Sequence, residues 1–308
     1  MIFPILAFLL FTSFFPTFND EDKDIVLVVL GIAQDAGYPQ AGCSKSCCKL
    51  YWHGQTEKKL VTSLGIVDNQ QNKTYMIDAT PDFREQWEML RAIASQTREA
   101  PDGIFLTHAH IGHYTGLMAL GREVMGTKHV LTYAMPRMKS FLETNGPWEQ
   151  LVTLGNIKLR EIAHETPIPL SKNLEITPFK VPHRDEYSET VGFSIQGPNK
   201  KVLFIPDINK WSIWKKSLKT QVKRHDLVFV DGTFFDNGEL PGRDMSLIPH
   251  PFVSETISQL KGIPETEKKK VHFIHFNHTN PLLTDSSVRA VVEKQGFKIA
   301  EEGMQVVL

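Results

Sequence analysis

Cysteine is nearly absent: the 308 residues hold three, and all of them fall within "CSKSCC" as Cys43, Cys47 and Cys48. One disulfide at most could form, with a thiol left over. An excess of positive charge is also lacking, since 34 Lys and Arg face 35 Asp and Glu for a formal charge of −1. That removes the electrostatic footprint of a nucleic-acid-binding surface, and the one dense basic run, "EKKK" at 267–270, reads as a solvated loop or helix end. No repeat and no long low-complexity linker interrupts the chain, so one domain over residues 24–308 is expected. A helical H-E-x-x-H pair is missing, which excludes the usual zinc-protease arrangement.

Long apolar runs are missing as well, with one exception. "MIFPILAFLLFTSFFPTF" opens the chain and gives way at once to the acidic "NDEDKD". A membrane span needs about 20 apolar residues, so the run suits a signal-peptide core better than a span. The run has no Lys or Arg before it and no clear small-residue cleavage site, which leaves an uncleaved anchor or a buried segment as alternatives. Residues 1–20 are therefore expected to be a signal peptide or N-terminal anchor, with export to a periplasmic or extracellular location. No cysteine lies in the stretch, which argues against lipid attachment there.

Beyond Asp24, short apolar runs alternate with turn residues. The pattern predicts strands at 25–33, 63–68, 74–79, 103–107, 129–133, 156–161, 174–179, 190–195, 201–207, 226–231 and 271–275. Helices fit at 81–96, 113–121, 135–143, 249–261 and 285–295. Strand groups separated by helices suggest an α/β fold with two sheets face to face and helices outside. Many of the runs end in Asp or His: Asp78, His108, Asp207, Asp231 and His275. Strand ends that carry such residues usually present a site along one edge.

The densest polar feature is "THAHIGHYTG" at 107–116. In His-x-His-x-x-His after a strand, the first two imidazoles, His108 and His110, can point the same way while His113 starts the next helix. Neutral imidazole is a common zinc ligand, and several such ligands leave a position open for water. The motif resembles the H-x-H-x-D-H signature of the metallo-β-lactamase fold, a four-layer αββα sandwich of metal-dependent hydrolases. The rest of that family's ligand set can be matched in order: His183 in "VPHRDEYSETVGF", Asp207 in "VLFIPD" and His275 in "FIHFNHTNP". The resemblance implies His108, His110 and His183 on one metal, His113 and His275 on a second, and Asp207 between them. Gly112 stands where the family has an Asp ligand of the second metal. A weakly held second metal, or a single one, is the expected result, and glycine would also permit a positive φ there.

The three cysteines would complete a Cys₃His zinc site with His278, three residues beyond His275 and so able to face away from the other metals. An early cysteine cluster with a histidine just after the last metal-binding one resembles a subgroup of the fold, the PqqB-like proteins of pyrroloquinoline quinone biosynthesis and the cyclic phosphodiesterases of phosphonate breakdown. In both, the resemblance implies a structural zinc. "LGIAQDAGYPQAGC", "HRDEYSETVGF", "DGTFFDNGELPGRDMSLIPHP" and "NHTNPLL" are most similar to the PqqB-like proteins, over roughly residues 25–285. The spacing C-x₃-C-C departs from that subgroup's C-x-C-x₂-C, and a disulfide or free thiols are the alternatives.

Asp231 and His250 fall in the same stretches. His250 could donate a proton to a leaving group, hold a substrate anion, or simply start a helix at the surface. Asp78 and Asp82 could orient metal-bound histidines, or Asp82 a helix start. The expected activity is metal-dependent hydrolysis of a small molecule, with hydroxide on zinc attacking a phosphodiester, ester or lactam centre and Asp207 and His250 as the catalytic residues. One or two zinc ions at that site and one structural zinc are expected, with iron or manganese possible at the former. Three histidines and a carboxylate also suit an iron-dependent oxygenase or redox protein, and a non-catalytic metal-binding module is a third reading. No nucleic-acid partner is expected, and membrane contact only through an uncleaved N-terminal segment.

Overall fold

The computed structural model describes residues 25–94 and 98–308. The apolar N-terminal run lies outside them, and with it the reading of residues 1–20 as signal peptide or anchor. No described helix is long and apolar enough to cross a membrane.

The first strand, β1 (Ile25–Gly31), shows how the layers arise. All seven of its residues are buried. Ile25, Leu27 and Val29 join the core between the sheets, while Val26, Val28 and Leu30 pack against the helices outside. Such a strand reads as a continuous apolar run because neither face meets water.

Two seven-stranded sheets are present among the described residues. In the first, β1, β2 (Ser63–Asp68) and β3 (Lys73–Ile77) form an antiparallel meander, and β4 (Gly103–Phe105), β5 (Val130–Ala134) and β6 (Ile157–Glu161) continue it in parallel. The second repeats the plan. β7 (Ile168–Pro169), β8 (Glu175–Lys180), β9 (Val191–Gln196) and β10 (Lys201–Ile205) run antiparallel, then β11 (Leu227–Asp231), β12 (Val271–Ile274) and β13 (Lys298–Ile299) run parallel. A last strand, β14 (Gln305–Val307), crosses back to the first sheet and pairs antiparallel with β1.

The helices are α1 (Ser46–Trp52), α2 (Phe83–Ile93), α3 (Ile111–Tyr114), α4 (Pro136–Thr144), α5 (Trp148–Thr153), α6 (Leu218–Arg224), α7 (Val253–Gln259), α8 (Glu265–Lys268) and α9 (Ser286–Lys294). Apolar residues of α2, α4 and α5 cover the outer face of the first sheet. Those of α6, α7 and α9 belong to the core of the second. The result is the αββα sandwich.

Several elements are shorter than the sequence pattern suggests, each for a local reason. Strand 201–207 stops at Ile205 because Pro206 has no N–H to continue the ladder. Strands 74–79 and 271–275 stop where Asp78 (φ 67°) and His275 (φ 69°) turn into the left-handed region. Helix 249–261 begins only at Val253, since Pro249 and Pro251 hold the chain extended before it. Helix 113–121 divides into α3 and a 3₁₀ stretch, Thr115–Leu120. Trp211 and Trp214 are both buried, Trp211 donating to Thr256 Oγ1 of α7 (2.8 Å).

Candidate metal centre

Strands of both sheets deliver their polar ends to one edge of the sandwich: His108 follows β4, His183 follows β8 and Asp207 follows β10. His108, His183 and Asp207 are buried there, and His110 is partly exposed. Asp207 Oδ2 lies 3.1 Å from His183 Nε2, 3.3 Å from His108 Nε2 and 3.7 Å from His110 Nδ1, and 3.4 Å separates His183 Nε2 from His110 Nδ1. Donor atoms of a tetrahedral zinc with bonds near 2.0–2.1 Å stand roughly 3.3 Å apart, so these four fit one ion. His108 Nε2 and Asp207 Oδ1 are buried without any hydrogen bond. Buried polar atoms left this way ask for an explanation, and a bound cation supplies it.

Which ring nitrogen faces the centre is set from behind. Asp78 accepts from the Thr107 amide (2.8 Å) and hydroxyl (2.9 Å), which leaves Thr107 Oγ1 to accept from His108 Nδ1 (3.0 Å). Asp78 also accepts from His113 Nδ1 (2.7 Å). Asn209 Oδ1 takes the Nδ1 proton of His183 (3.1 Å). In the second sheet Asp231 holds the amide and hydroxyl of Thr233 (2.8 and 2.6 Å), and Thr233 Oγ1 accepts from His275 Nδ1 (2.9 Å). Each of these four histidines thereby turns Nε2 inward, the arrangement that metal-bound histidines require of their surroundings. Asp82, by contrast, touches no histidine: it accepts from the Val61 amide (2.9 Å) and pairs with Lys58, and its side chain caps nothing.

Electrostatics favour ionised carboxylates. Burial alone would raise Asp207, but the charges of His183 and His250 hold it well below the usual carboxylate range. His108 is pushed down by burial and by the charge on His113, leaving it neutral. His113 resists burial because Asp78 and Asp35 flank it, and its pKa stands well above the ordinary imidazole value. His250 behaves similarly: Asp231 and Asp207 outweigh burial and raise it to about 9. Its Nδ1 lies 2.9 Å from Asp231 Oδ2 and 3.2 Å from Asp207 Oδ1. The ring lines a cavity of about 220 Å³ above the cluster, together with His110, His183, Arg184 and Arg243. It is therefore part of the site and not a surface helix start.

One residue that the strand-end pattern passed over also enters the cluster. Asp35, in the loop after β1, places Oδ1 3.0 Å from His113 Nε2 and 3.4 Å from His275 Nε2. Its signal was present in "LGIAQDAG", two residues past the expected strand. The positive-φ explanation of Gly112 is corrected, because Gly112 lies in α3 and is not among the positive-φ glycines. What matters there is space: a Cβ on Gly112 would meet Asp35 Cα at 2.4 Å.

Cys43, Cys47, Cys48 and His278 converge separately, their ligand atoms all within 4.8 Å of one another. The cysteines are unbridged, with Cys47 Sγ and Cys48 Sγ 4.0 Å apart. Cys47 and Cys48 sit in the first turn of α1, which is held by Tyr38 donating to the Cys47 carbonyl (2.7 Å). Burial, with its neighbouring thiols, pushes Cys48 up to about 12, so it is the thiol that most needs a metal to ionise.

The model of the Beta-lactamase superfamily domain matches residues 73–276. The chain belongs to the beta-lactamase superfamily. Within that superfamily it is similar to coenzyme PQQ synthesis protein B of Methylorubrum extorquens (strain PA1), 27% identical over 304 residues that cover 90% of this chain and 98% of that protein. The crystal structure of Zn(2+)-bound PqqB from Methylobacterium extorquens matches with a TM-score of 0.75 and 24% identity, over 92% of this chain and 100% of that one. A diphosphatase from the PhnP family matches with a TM-score of 0.63 and 20% identity, over 92% and 96%. The superfamily architecture is thus the one that the resemblance of the histidine motif implied.

Proposed function

We propose that the protein is a metal-dependent hydrolase of a small anionic substrate, cleaved at a phosphodiester, ester or lactam centre. The observation that carries this reading is the convergence of His108, His110, His183 and Asp207 on one point at the base of the cavity, with His108 Nε2 and Asp207 Oδ1 buried and unpartnered. When bound there, zinc supplies Lewis acidity and lowers the pKa of a coordinated water from about 15.7 to near 7. His108, His110, His183 and Asp207 would hold it. His250, protonated at neutral pH between two carboxylates, is placed to give a proton to the leaving group. Arg184 and Arg243 line the same cavity and suit a substrate anion. Likeness to the PhnP-family diphosphatase supports the fold for such chemistry, no more.

The test is turnover by zinc-loaded protein on bis(p-nitrophenyl) phosphate, p-nitrophenyl acetate and a chromogenic cephalosporin. At least one should be cleaved, without oxygen. Failure on all three with the centre occupied would leave a binding module. A second reading, an iron-dependent redox enzyme, is favoured by the donor set itself, since three histidines and a carboxylate also suit iron. Iron retained through anaerobic purification, with oxygen uptake on substrate addition, would establish it instead. We also propose structural zinc at the cysteine site, and export directed by the apolar N-terminal run. N-terminal sequencing of protein from the native host should find a start after about Phe18, whereas intact Met1 in the soluble cytoplasm would refute export.

A further inference from the structure

We propose that Asp35 is the acid ligand of a second metal, supplied from the loop after β1 in place of the side chain that Gly112 lacks. The inference rests on the metal-centre reading above and extends it to the other half of the cluster. Asp35, His113, Asp207 and His275 form a second quartet whose donor atoms all lie within 4.8 Å of one another. Asp35 Oδ1 stands 3.0 Å and 3.4 Å from the two Nε2 atoms, the spacing of neighbouring donors around one ion. With Asp207 it brings two negative charges to a site that otherwise holds imidazoles.

Gly112 and Asp35 occupy one space. A Cβ built on Gly112 would lie 2.4 Å from Asp35 Cα, 2.7 Å from its Oδ1 and 2.8 Å from its Cβ. An acid at 112 and an acid at 35 therefore exclude each other, and the glycine is what lets the loop close in. The loop itself is pinned beside another ligand: Gln34 N donates to Phe276 O (2.8 Å), Phe276 N donates to Ile32 O (2.8 Å), and Gly37 N closes a tight turn onto Gln34 O (2.7 Å). Asp35 is thus one residue from a backbone pairing that also fixes His275. Its side chain is 15% exposed, too buried to be an incidental surface acid.

The experiment counts metals in the full chain after zinc loading and dialysis against a mild chelator, with the visible spectrum of cobalt-substituted protein as a second readout. Wild type should retain three ions: one at the cysteines and two at the histidine cluster. Asp35→Asn, which keeps the shape and removes the charge, should retain two, with the lost ion bound at least about 100-fold more weakly, since even partners outside the ligand sphere cost 10- to 100-fold. Gly112→Ala should lose the same ion although it deletes no ligand, because its methyl displaces Asp35. Three ions in Asp35→Asn would overturn the proposal, as would three in a folded Gly112→Ala. Cobalt–thiolate absorption identifies any ion at the cysteines, so the count that decides is the one at the histidine cluster: one ion there in wild type would overturn the proposal while leaving the single-metal reading intact, and none there would remove both. Asp35→Asn decides the matter should Gly112→Ala fail to fold.

Discussion

The two sheets grip the site with the same device and use it to different ends. In the first sheet Asp78 holds Thr107 through both carboxylate oxygens and His113 through Oδ2, and Thr107 holds His108. In the second, Asp231 holds Thr233 and His250, and Thr233 holds His275. Three of these four histidines turn Nε2 toward a metal position. His250 instead presents Nδ1 to Asp231, its hydrogen-bond partner at 2.9 Å, with Asp207 Oδ1 3.2 Å away. On the proposed reading, an equivalent scaffold thus yields two ligands on one side and, on the other, one ligand and one proton donor.

The comparison can be broken at several points. The largest effect is expected from His110, which belongs to neither grip. His110→Ala should cut turnover by about 10³-fold or more, the loss of several kcal/mol of metal-derived stabilisation. Its circular dichroism should be unchanged, and retained activity would refute the ligand assignment. Next, His250→Gln should lower kcat about 10²-fold at constant metal content, whereas His113→Gln should lose metal. Equal metal loss in both would make the two grips equivalent after all.

The cysteine site lies outside both grips and serves as a control. Cys47→Ser or His278→Ala should lower Tm by roughly 5–10 °C with the loss of one zinc, since structural zinc contributes folding energy directly. An unchanged zinc count would show that the cluster holds no metal. The smallest effect should come from behind the ligands: Asp78→Asn should weaken metal binding about 10- to 100-fold. Asp231→Asn should depress kcat at least as much as affinity, and titration calorimetry beside steady-state kinetics separates the two.

Most of the site could be read from strand ends, because a buried apolar run that stops at His or Asp marks both a strand and its polar tip. His108, Asp207, Asp231 and His275 were found this way, and Asp78 with them. Asp35 escaped because it follows β1 by a short loop and faces its partners only through tertiary packing against α3, which no spacing encodes. Gly112 was legible as a missing acid but not as a contact. Among the elements, α1, α5, α6 and α8 and the strands β7, β13 and β14 were missed; segments of two to seven residues carry too little periodicity to stand out.

The return of β14 to the first sheet has a consequence for biosynthesis. Val29 N donates to Met304 O (2.9 Å), Gly303 N to Val29 O (2.8 Å) and Leu308 N to Ile25 O (3.0 Å), so one side of β1 is closed by residues made some 270 positions later. While the chain is still emerging from the ribosome, that strand, "IVLVVLG", stands as a bare apolar edge of the kind that recruits other chains. Truncation before residue 303 should therefore be felt first as aggregation of nascent protein, and only afterwards as lost activity in whatever molecules survive.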